Sequence, residues 1–272
     1  MKVFYSPDYF HDSGPATTTR KARMIAEHLE AYPITGMEIV APTPATPRLL
    51  SRTHDSVYVN DIRRTKAWRS VSASTGGALA AGLDAYASRQ NAGSLSSGLH
   101  HARWDRECGF CTFNGLVVAA QALEAIGATP LILDLDAHCG GGTNALLNLH
   151  RLPTRHIDIS VSPFDGYESR DYLRLVTRSD RYLWTIKTAL NSDLTKGIDV
   201  VLYNAGMDPY EHDPVGGLAG ITTDLLFERE CLVFDWARKR GIPVAFVLAG
   251  GYVSDESTLI GLHRMTVEAA AS

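Results

Sequence analysis

Short runs of Val, Ile and Leu alternate with helical patterns in the second half of the chain, and this alternation constrains the fold more than any other feature. Strands are predicted at 130–137, 156–162, 199–206 and 242–251. Helices are predicted at 114–127, 143–150, within 172–192, and at 222–241 and 255–271. Buried strands that alternate with helices are typical of a parallel sheet covered on both faces. The pattern therefore predicts an α/β fold with three α/β/α layers and a mostly parallel sheet.

The first half repeats this pattern less regularly. Strands are predicted at 2–6 and 36–42, helices at 19–32, 46–53, 57–68 and 74–90, and a loop at 94–108. No internal repeat, long linker or low-complexity segment interrupts the 272 residues. We therefore predict one domain that spans residues 1–272.

Composition and charge exclude several functional classes. The formal net charge is -4, which argues against a general nucleic-acid or anionic-membrane surface. No apolar run approaches the roughly 20 residues that cross a bilayer, and the N-terminal sequence "MKVFYSPDYFHDSG" lacks the apolar segment of a signal peptide. We expect a cytoplasmic protein without direct nucleic-acid or membrane binding, whose four cysteines are reduced thiols.

Polar residues stand at the points where the predicted strands end. They are Asp134, Asp136 and His138 after one strand, Ser160 and Ser162 after the next, Asn204 and Asp208 after the third, and Gly250, Gly251 and Tyr252 after the last. Parallel sheets of this kind bind ligands beyond the carboxyl ends of their strands. A catalytic or metal site is therefore predicted at this edge of the sheet.

Asp136 and His138 are the first candidate ligands of a metal ion. They are two residues apart in a strand, so both side chains point to the same face. A carboxylate oxygen and an imidazole nitrogen suit zinc, iron or cobalt, and Asp208 near the end of another strand is a third candidate. Two structural interpretations stay open: a hydrogen-bonded Asp–His pair on a buried strand, and a turn aspartate before Pro209.

His100 and His101 in "GLHHA" and Tyr252 in "LAGGYV" are candidate catalytic residues. Two adjacent imidazoles can serve one substrate, one neutral as a base and the other charged. Asp134 points to the same face as Asp136 and could fix the tautomer of a histidine. A phenol can donate a hydrogen bond to a developing oxyanion. An exposed histidine pair and a surface tyrosine are the alternatives.

In combination these motifs resemble the histone deacetylase superfamily, including its bacterial acetoin-utilisation and acetylpolyamine amidohydrolase relatives. The matching segments, in family order, are "GLHHA", "GFCTFNG", "LILDLDAHCGGGT", "NAGMDP" with "EHDPVGGLAGIT", and "LAGGY". Weaker similarity in "YSPDYFHDSG" and "EIVAPTPATPRLLSRTHDSVYV" extends the resemblance to the N-terminal third. The resemblance implies a single arginase/deacetylase-type α/β domain with a zinc-dependent hydrolase site. Such a site would remove an acyl group, most simply acetyl, from acetyl-lysine or an acylated small amine.

The resemblance also implies roles for individual catalytic residues. The zinc ligands would be Asp136, His138 and Asp208, with Fe2+ as the other candidate metal. His101 would be the main general base and acid, and His100 would assist it. Asp134 would tune His100, and Tyr252 would stabilise the oxyanion.

Substrate and potassium positions follow from the same resemblance. Phe110 would form one wall of the channel that holds the acyl-lysine methylenes. The other implied substrate-binding positions are Gly109, Gly250 and Gly251. A potassium ion would lie beneath the zinc strand, bound partly through backbone oxygens of Asp134, Asp136, His138, Ser160 and Val161.

The chain departs from the family pattern near the second histidine. Gly141 occupies a position where the family usually has Asp or Asn, which orients that histidine. We therefore expect His101 to lack a carboxylate partner and to have a lower pKa. This departure raises an alternative function, a metal-binding protein with weak or no turnover. A further alternative is arginase-like hydrolysis of a guanidine by two metal ions, although Cys139 and glycines stand where that site would need an aspartate.

Overall fold

The computed structural model describes residues 1–10, 20–97 and 99–272, which contain a single large sheet and the helices around it. The strands are β1 (Lys2–Phe4), β2 (Glu38–Val40), β3 (Ala92–Ser94), β4 (Pro130–Asp134), β5 (Arg155–Ser160), β6 (Tyr172–Leu175), β7 (Val200–Asn204) and β8 (Val244–Val247). The α-helices are α1 (Arg20–Ala31), α2 (Pro47–Leu50), α3 (Ser56–Arg63), α4 (Trp68–Ser88), α5 (Gly115–Glu124), α6 (Gly141–Leu149), α7 (Tyr182–Leu190), α8 (Thr223–Arg238) and α9 (Glu256–Ala271). Thr19, the predicted first residue of a helix, and Gly98, the first residue of "GLHHA", lie outside the described residues.

The sheet has the order β2-β1-β3-β8-β7-β4-β5-β6, and every pairing in it is parallel. Alternate residues of the central strands face different helical layers. Leu131 and Leu133 of β4 share a core with α1, α7, α8 and α9, whereas Ile132 shares a core with α4, α5 and α6. The prediction of a parallel sheet between two helical layers is confirmed. None of the described helices is both long enough and apolar enough to span a bilayer.

Two strands contradict the sequence prediction. β3 was not predicted, and its last residue, Ser94, is the first residue of the predicted loop 94–108. Its three small residues show no alternation of apolar and polar side chains, which is the pattern that indicates a strand. Gly93 is required in β3, since a Cβ there would lie 2.1 Å from the Phe246 ring. β6 lies at the start of the segment 172–192, within which α7 confirms the predicted helix but no strand was predicted. β6 is an edge strand, and its side chains are half-buried or exposed, so its sequence shows no clear strand period.

Several helix boundaries also differ from the prediction. The two helices predicted at 46–53 and 57–68 are shorter in the structure, whereas the helix predicted at 74–90 begins already at Trp68. Thr46 and Asp55 cap the two short helices through their side-chain oxygens, which accept backbone N–H groups. These differences lie outside the sheet edge that carries the candidate site.

The carboxyl ends of the central strands are aligned by register. Asp134 of β4 pairs with Asp158 of β5 and with Asn204 of β7, and Asn204 pairs with Val247 of β8. The loops that follow these strands therefore leave the sheet at one edge. This alignment brings together polar residues that are far apart in the sequence.

A buried arginine on α8 supports two of these loops. The side chains of Arg229 and Glu230 are fully buried and form an ion pair of 2.7 Å. The Arg229 guanidinium donates to the carbonyl oxygens of Leu135, at 3.2 Å, and Gly206, at 2.7 Å. Tyr203 donates its hydroxyl to Glu230 at 2.7 Å. Because Leu135 precedes Asp136 and Gly206 lies two residues before Asp208, Arg229 fixes the backbone that carries both aspartates.

We expect the substitution Arg229→Ala to destabilise the fold strongly. It would leave the Glu230 carboxylate buried without its cation, at a cost of about 3–5 kcal/mol in the free energy of unfolding. Urea denaturation measures this loss. The control is Arg64→Ala, which removes an exposed pair with Asp61 and should change the free energy of unfolding by less than about 0.5 kcal/mol. Equal losses in both variants would contradict the structural role of Arg229.

Candidate active site

Three candidate metal ligands meet beyond the ends of β4 and β7. Asp136 and His138 follow β4, and Asp208 follows β7. One donor atom from each residue lies within 4.8 Å of the others. His138 Nδ1 is 3.2 Å from Asp136 Oδ1 and 3.1 Å from Asp208 Oδ2. The structure therefore brings the three predicted ligands together on one side of the sheet edge.

The two carboxylates are held in place by backbone donors. Asp136 Oδ2 accepts from the Gly250 N–H at 2.8 Å, and Asp208 Oδ1 accepts from the Ala137 N–H at 3.0 Å. A Cβ at Gly250 would lie 2.2 Å from Asp208 Oδ2, and one at Gly206 would lie 2.7 Å from Asp208 Oδ1. Only glycine leaves space for the carboxylates at these two positions.

The carboxylates of Asp136 and Asp208 lie close together in a buried environment. Burial and the neighbouring Asp136 carboxylate raise the pKa of Asp208 to about 7. Two carboxylates and one imidazole are a donor set that zinc accepts. The residues present thus fit a divalent cation, which would compensate the buried negative charge.

His100 and His101 lie next to this group, with ring centroids 3.9 Å apart. His100 Nδ1 is 2.8 Å from Asp134 Oδ2. Asp134 also accepts from the Asn204 side-chain amide at 2.8 Å and from the Asp136 N–H at 3.2 Å. The structure therefore places Asp134 where the sequence interpretation put it, on the first histidine of the pair.

His101 has a carboxylate partner, contrary to the expectation drawn from Gly141. Its Nδ1 lies 2.9 Å from Asp165 Oδ2. Asp165 lies in the loop after β5, so a carboxylate from another part of the chain takes the position beside this ring. Sequence reasoning looked for the partner only in the loop after β4, and for that reason the expectation was wrong.

The two histidines differ in their electrostatic surroundings. Burial disfavours the charge on His100, but the carboxylates of Asp134 and Asp136 outweigh it and raise the pKa of His100 to about 9. Burial and the nearby charge of His100 lower the pKa of His101 far below its usual value. The pair therefore combines one imidazole that favours the charged form with one that favours the neutral form.

A cavity of about 360 Å³ opens beside the histidines. Its lining residues are His101, Gly109, Phe110, His138, Ser162, Phe164, Val215 and Tyr252. Three of its apolar side chains, those of Phe110, Phe164 and Val215, are about half exposed. The cavity therefore has an apolar rim around the imidazoles of His101 and His138.

Phe110 reaches the cavity from a strained two-residue turn. Cys108 and Cys111 exchange both backbone hydrogen bonds, and the residues between them, Gly109 and Phe110, have φ values of +50° and +63°. This is the pattern of a tight hairpin turn, and a phenylalanine rarely adopts a positive φ. A Cβ at Gly109 would lie 2.2 Å from the His101 ring.

All four cysteines are free thiols that form no disulfide, as the sequence analysis expected.

Tyr252 lines the same cavity and is held through its backbone. Its N–H donates to Asp213 Oδ2 at 2.7 Å, and the other oxygen of Asp213 accepts from the Val215 N–H at 3.0 Å. Lys21 of α1 is fully buried, donates to the Ala249 carbonyl and lies 5.8 Å from the centroid of the Tyr252 ring. Burial lowers the pKa of Lys21 to about 8, although nearby carboxylates act against this shift.

The remaining predicted positions lie below or behind the cavity. Gly250 lies against the carboxylates of Asp136 and Asp208, and Gly251 lies against His263. Neither glycine is among the residues that line the cavity. Ser160 is fully buried at the end of β5, and the Val161 N–H donates to the Ala137 carbonyl at 2.9 Å. Asp134, His156 and Asp158 form a second buried group of possible metal ligands, with donor atoms within 4.8 Å of one another.

Sequence reasoning missed several residues of the site. Asp165 and Phe164 follow β5, so the strand-end argument could have included them had it extended a few residues further. Asp213 lies in "EHDPVGGLAGIT", a segment that was quoted without a role for this residue. Lys21 belongs to a helix rich in charged residues, and nothing in its local sequence indicates burial.

Comparison with known proteins supports one family. A family model described as the histone deacetylase domain matches residues 15–154. Histone deacetylase 2 of Arabidopsis thaliana is 31% identical over 179 residues, which cover 61% of this chain and 45% of the plant protein. A probable deacetylase of Methanothermobacter thermautotrophicus is 31% identical over 177 residues, 56% of this chain and 50% of that protein. Acetylpolyamine amidohydrolase 2 of Pseudomonas aeruginosa is 28% identical over 187 residues, 62% of this chain and 52% of that protein.

Solved structures extend the similarity to the whole chain. The acetylpolyamine aminohydrolase of Burkholderia pseudomallei superimposes with a TM-score of 0.82 at 19% identity and covers 100% of this chain and 99% of that one. The HD domain of HDA15 superimposes with a TM-score of 0.80 at 18% identity over 99% of this chain and 90% of that one. These two structures share the fold, whereas the chain spans about half the length of the curated relatives it matches. Since the histone deacetylase model matches just over half of its residues, the chain belongs to the histone deacetylase family.

Proposed function

We propose that this chain is a zinc-dependent amidohydrolase that removes an acyl group, most simply acetyl, from acetyl-lysine or an acylated small amine. The observation that carries the proposal is the convergence of Asp136, His138 and Asp208 beside a histidine pair and an aromatic cavity. Relatives named as deacetylases and acetylpolyamine amidohydrolases support the same class of reaction.

Asp136, His138 and Asp208 are the proposed zinc ligands. When bound, zinc polarises the amide carbonyl and lowers the pKa of the attacking water. Three protein ligands leave room for water and substrate, as a catalytic site requires. Fe2+ accepts the same donors, and the metal content of the purified protein distinguishes the two ions.

His101 is the proposed general base. Its Nδ1 contacts Asp165, so Nε2 is the ring nitrogen available to accept a proton from the attacking water. The lowered pKa of His101 keeps this nitrogen unprotonated before the reaction, as a general base requires. His100, whose pKa is raised, assists when the departing amine takes up its proton.

Tyr252 is the proposed oxyanion donor, and the aromatic rim is the proposed binding site for the acyl-amine chain. Burial raises the pKa of Tyr252 above its usual value, so its hydroxyl stays protonated and can donate to the oxyanion. Phe110 and Phe164 at the rim offer apolar surface to the methylenes of the substrate. Gly109 lies against the His101 ring, at a position where any side chain would collide with that ring.

Potassium is proposed as a second cation, bound by Asp134, Asp136, His138, Ser160 and Val161. Burial and the charge of Asp134 raise the pKa of Asp158 to about 7. Asp158 lies in register beside Asp134, so two carboxylates lie close together at this buried end of the strands. A monovalent cation bound to nearby oxygens would allow both carboxylates to be ionised.

The alternative of a metal-binding protein without turnover depended on the absence of a carboxylate at Gly141. Because Asp165 contacts His101, that reason no longer applies. Turnover of a panel of acyl amides by the zinc-loaded protein remains the direct comparison between the two functions.

We expect His101→Ala and Asp208→Ala each to lower kcat/KM for acetate release from an acetyl-lysine peptide by at least about 100-fold, the scale of a lost acid–base or metal function. Circular dichroism should show an unchanged fold. The control is His212→Ala, which removes an exposed imidazole and should leave the rate unchanged. Full activity in His101→Ala and Asp208→Ala would refute the proposed function.

We expect Gly250→Ala to abolish stoichiometric zinc binding, because the added Cβ would displace the Asp208 carboxylate. Elemental analysis after equilibration with zinc should give one divalent ion per chain in the unmodified protein. Gly261→Ala on α9 is the control, since its Cβ meets nothing within 4 Å. Full zinc content in Gly250→Ala would contradict the assigned ligands, and two divalent ions per chain would favour the arginase-like alternative.

We expect Phe110→Ala to raise KM for an acetyl-lysine peptide about 10-fold with little change in kcat, because about 1.5 kcal/mol of apolar contact with the methylenes is lost. Steady-state kinetics measures both constants. Phe227→Ala on α8, where the side chain is also about half exposed, should change neither. A drop in kcat at constant KM would argue against a role for Phe110 in binding alone.

A further inference from the structure

We propose that Asp165 is the positioning residue for His101, and that Gly141 is the residue this arrangement requires. The proposal rests on the proposed function, since it concerns the base of that reaction. It assigns the task of orienting His101 to the loop after β5, with Arg103 as a third member of the group.

Asp165 is buried at the back of the His101 ring. Its carboxylate side chain is 4% exposed. Oδ2 lies 2.9 Å from His101 Nδ1 and also accepts from the Gly142 N–H at 3.2 Å. This oxygen is surrounded by donors, so it accepts the Nδ1 proton of His101 and leaves Nε2 toward the cavity.

Asp165 occupies the space that a side chain at position 141 would need. A Cβ at Gly141 would lie 2.3 Å from the Asp165 carbonyl oxygen and 2.6 Å from its Oδ1. Any side chain at position 141 would therefore displace Asp165. A side chain at position 141 and the Asp165 carboxylate therefore exclude each other.

The loop after β5 holds Asp165 in a backbone conformation that non-glycine residues rarely adopt. Its φ is +59°, in the left-handed region, which aspartate tolerates better than most residues but still at a cost. Arg103 forms an ion pair with Asp165 Oδ1 and donates to the Gly141 carbonyl at 2.7 Å. One guanidinium thus ties the loop after β5 to the start of α6.

Because of Arg103, the two histidine–carboxylate pairs differ in the charge that faces the imidazole. Besides contacting His100, Asp134 accepts hydrogen bonds from two neutral donors, the Asn204 side-chain amide and the Asp136 backbone N–H. Asp165 is paired with the cation of Arg103. Asp165 therefore fixes the tautomer of His101 while much of its negative charge is already compensated.

The first test is spectroscopic and independent of turnover. In the zinc-loaded protein, 15N-resolved NMR of the histidine side chains should show His101 protonated at Nδ1. Asp165→Gly, which suits the positive φ, should remove that single tautomer, whereas Asp171→Gly in the same region should preserve it. An unchanged His101 tautomer in Asp165→Gly would overturn the proposal, whether or not the protein hydrolyses acyl amides.

The second test is a double-mutant cycle on kcat. Asp165→Gly and Gly141→Ala should each lower kcat about 100-fold with KM nearly constant, because both remove the same hydrogen bond. The double variant should also lose about 100-fold rather than the product of the two losses. Additive losses would overturn the mutual exclusion of positions 141 and 165. An inactive unmodified protein would refute the proposed function and leave the NMR test to decide the role of Asp165.

Discussion

Burial of carboxylates at the ends of parallel strands is the constraint on which the rest of this structure depends. Asp134, Asp136 and Asp208 are almost fully buried, and each charge would be costly without a partner. Imidazoles, backbone N–H groups and glycine positions surround them, and the buried Arg229 fixes the backbone from below. The divalent cation proposed for this site would complete this balance, so the stability of the sheet edge and the proposed chemistry would have the same physical origin.

The histidine pair shows how different surroundings distinguish two adjacent residues of the same type. Both rings are buried and both contact a carboxylate. Asp134 contacts His100 and two neutral donors, whereas Asp165 is already paired with the cation of Arg103. The charge balance behind each ring therefore favours a cationic His100 and a neutral His101. A neutral imidazole beside a charged one suits the general acid–base chemistry proposed for this pair.

Much of the fold could be predicted because it depends on local patterns. Buried strands such as β4 and β7 consist of continuous apolar residues, and amphipathic helices follow them. The prediction was wrong at β3, where small residues pack against the Phe246 ring, and at the edge strand β6. In both strands the pairing partner, rather than the local sequence, determines the conformation. Lys21 was missed for a similar reason, since its burial depends on α1 packing beside the loop that carries Ala249 and Tyr252.

The sequence by itself indicated the parallel sheet, the position of Asp134, Asp136 and His138 at the end of one strand, and the family. These features follow from apolar runs and from motifs within a few residues, although β4 ends at Asp134, before the predicted end of that strand at residue 137. Only the tertiary structure decided which carboxylate serves His101, because Asp165 is 64 positions away along the chain. Gly141, which suggested a lost residue, provides the space that Asp165 occupies. A contact between loops depends on three-dimensional space, and the local sequence contains no record of it.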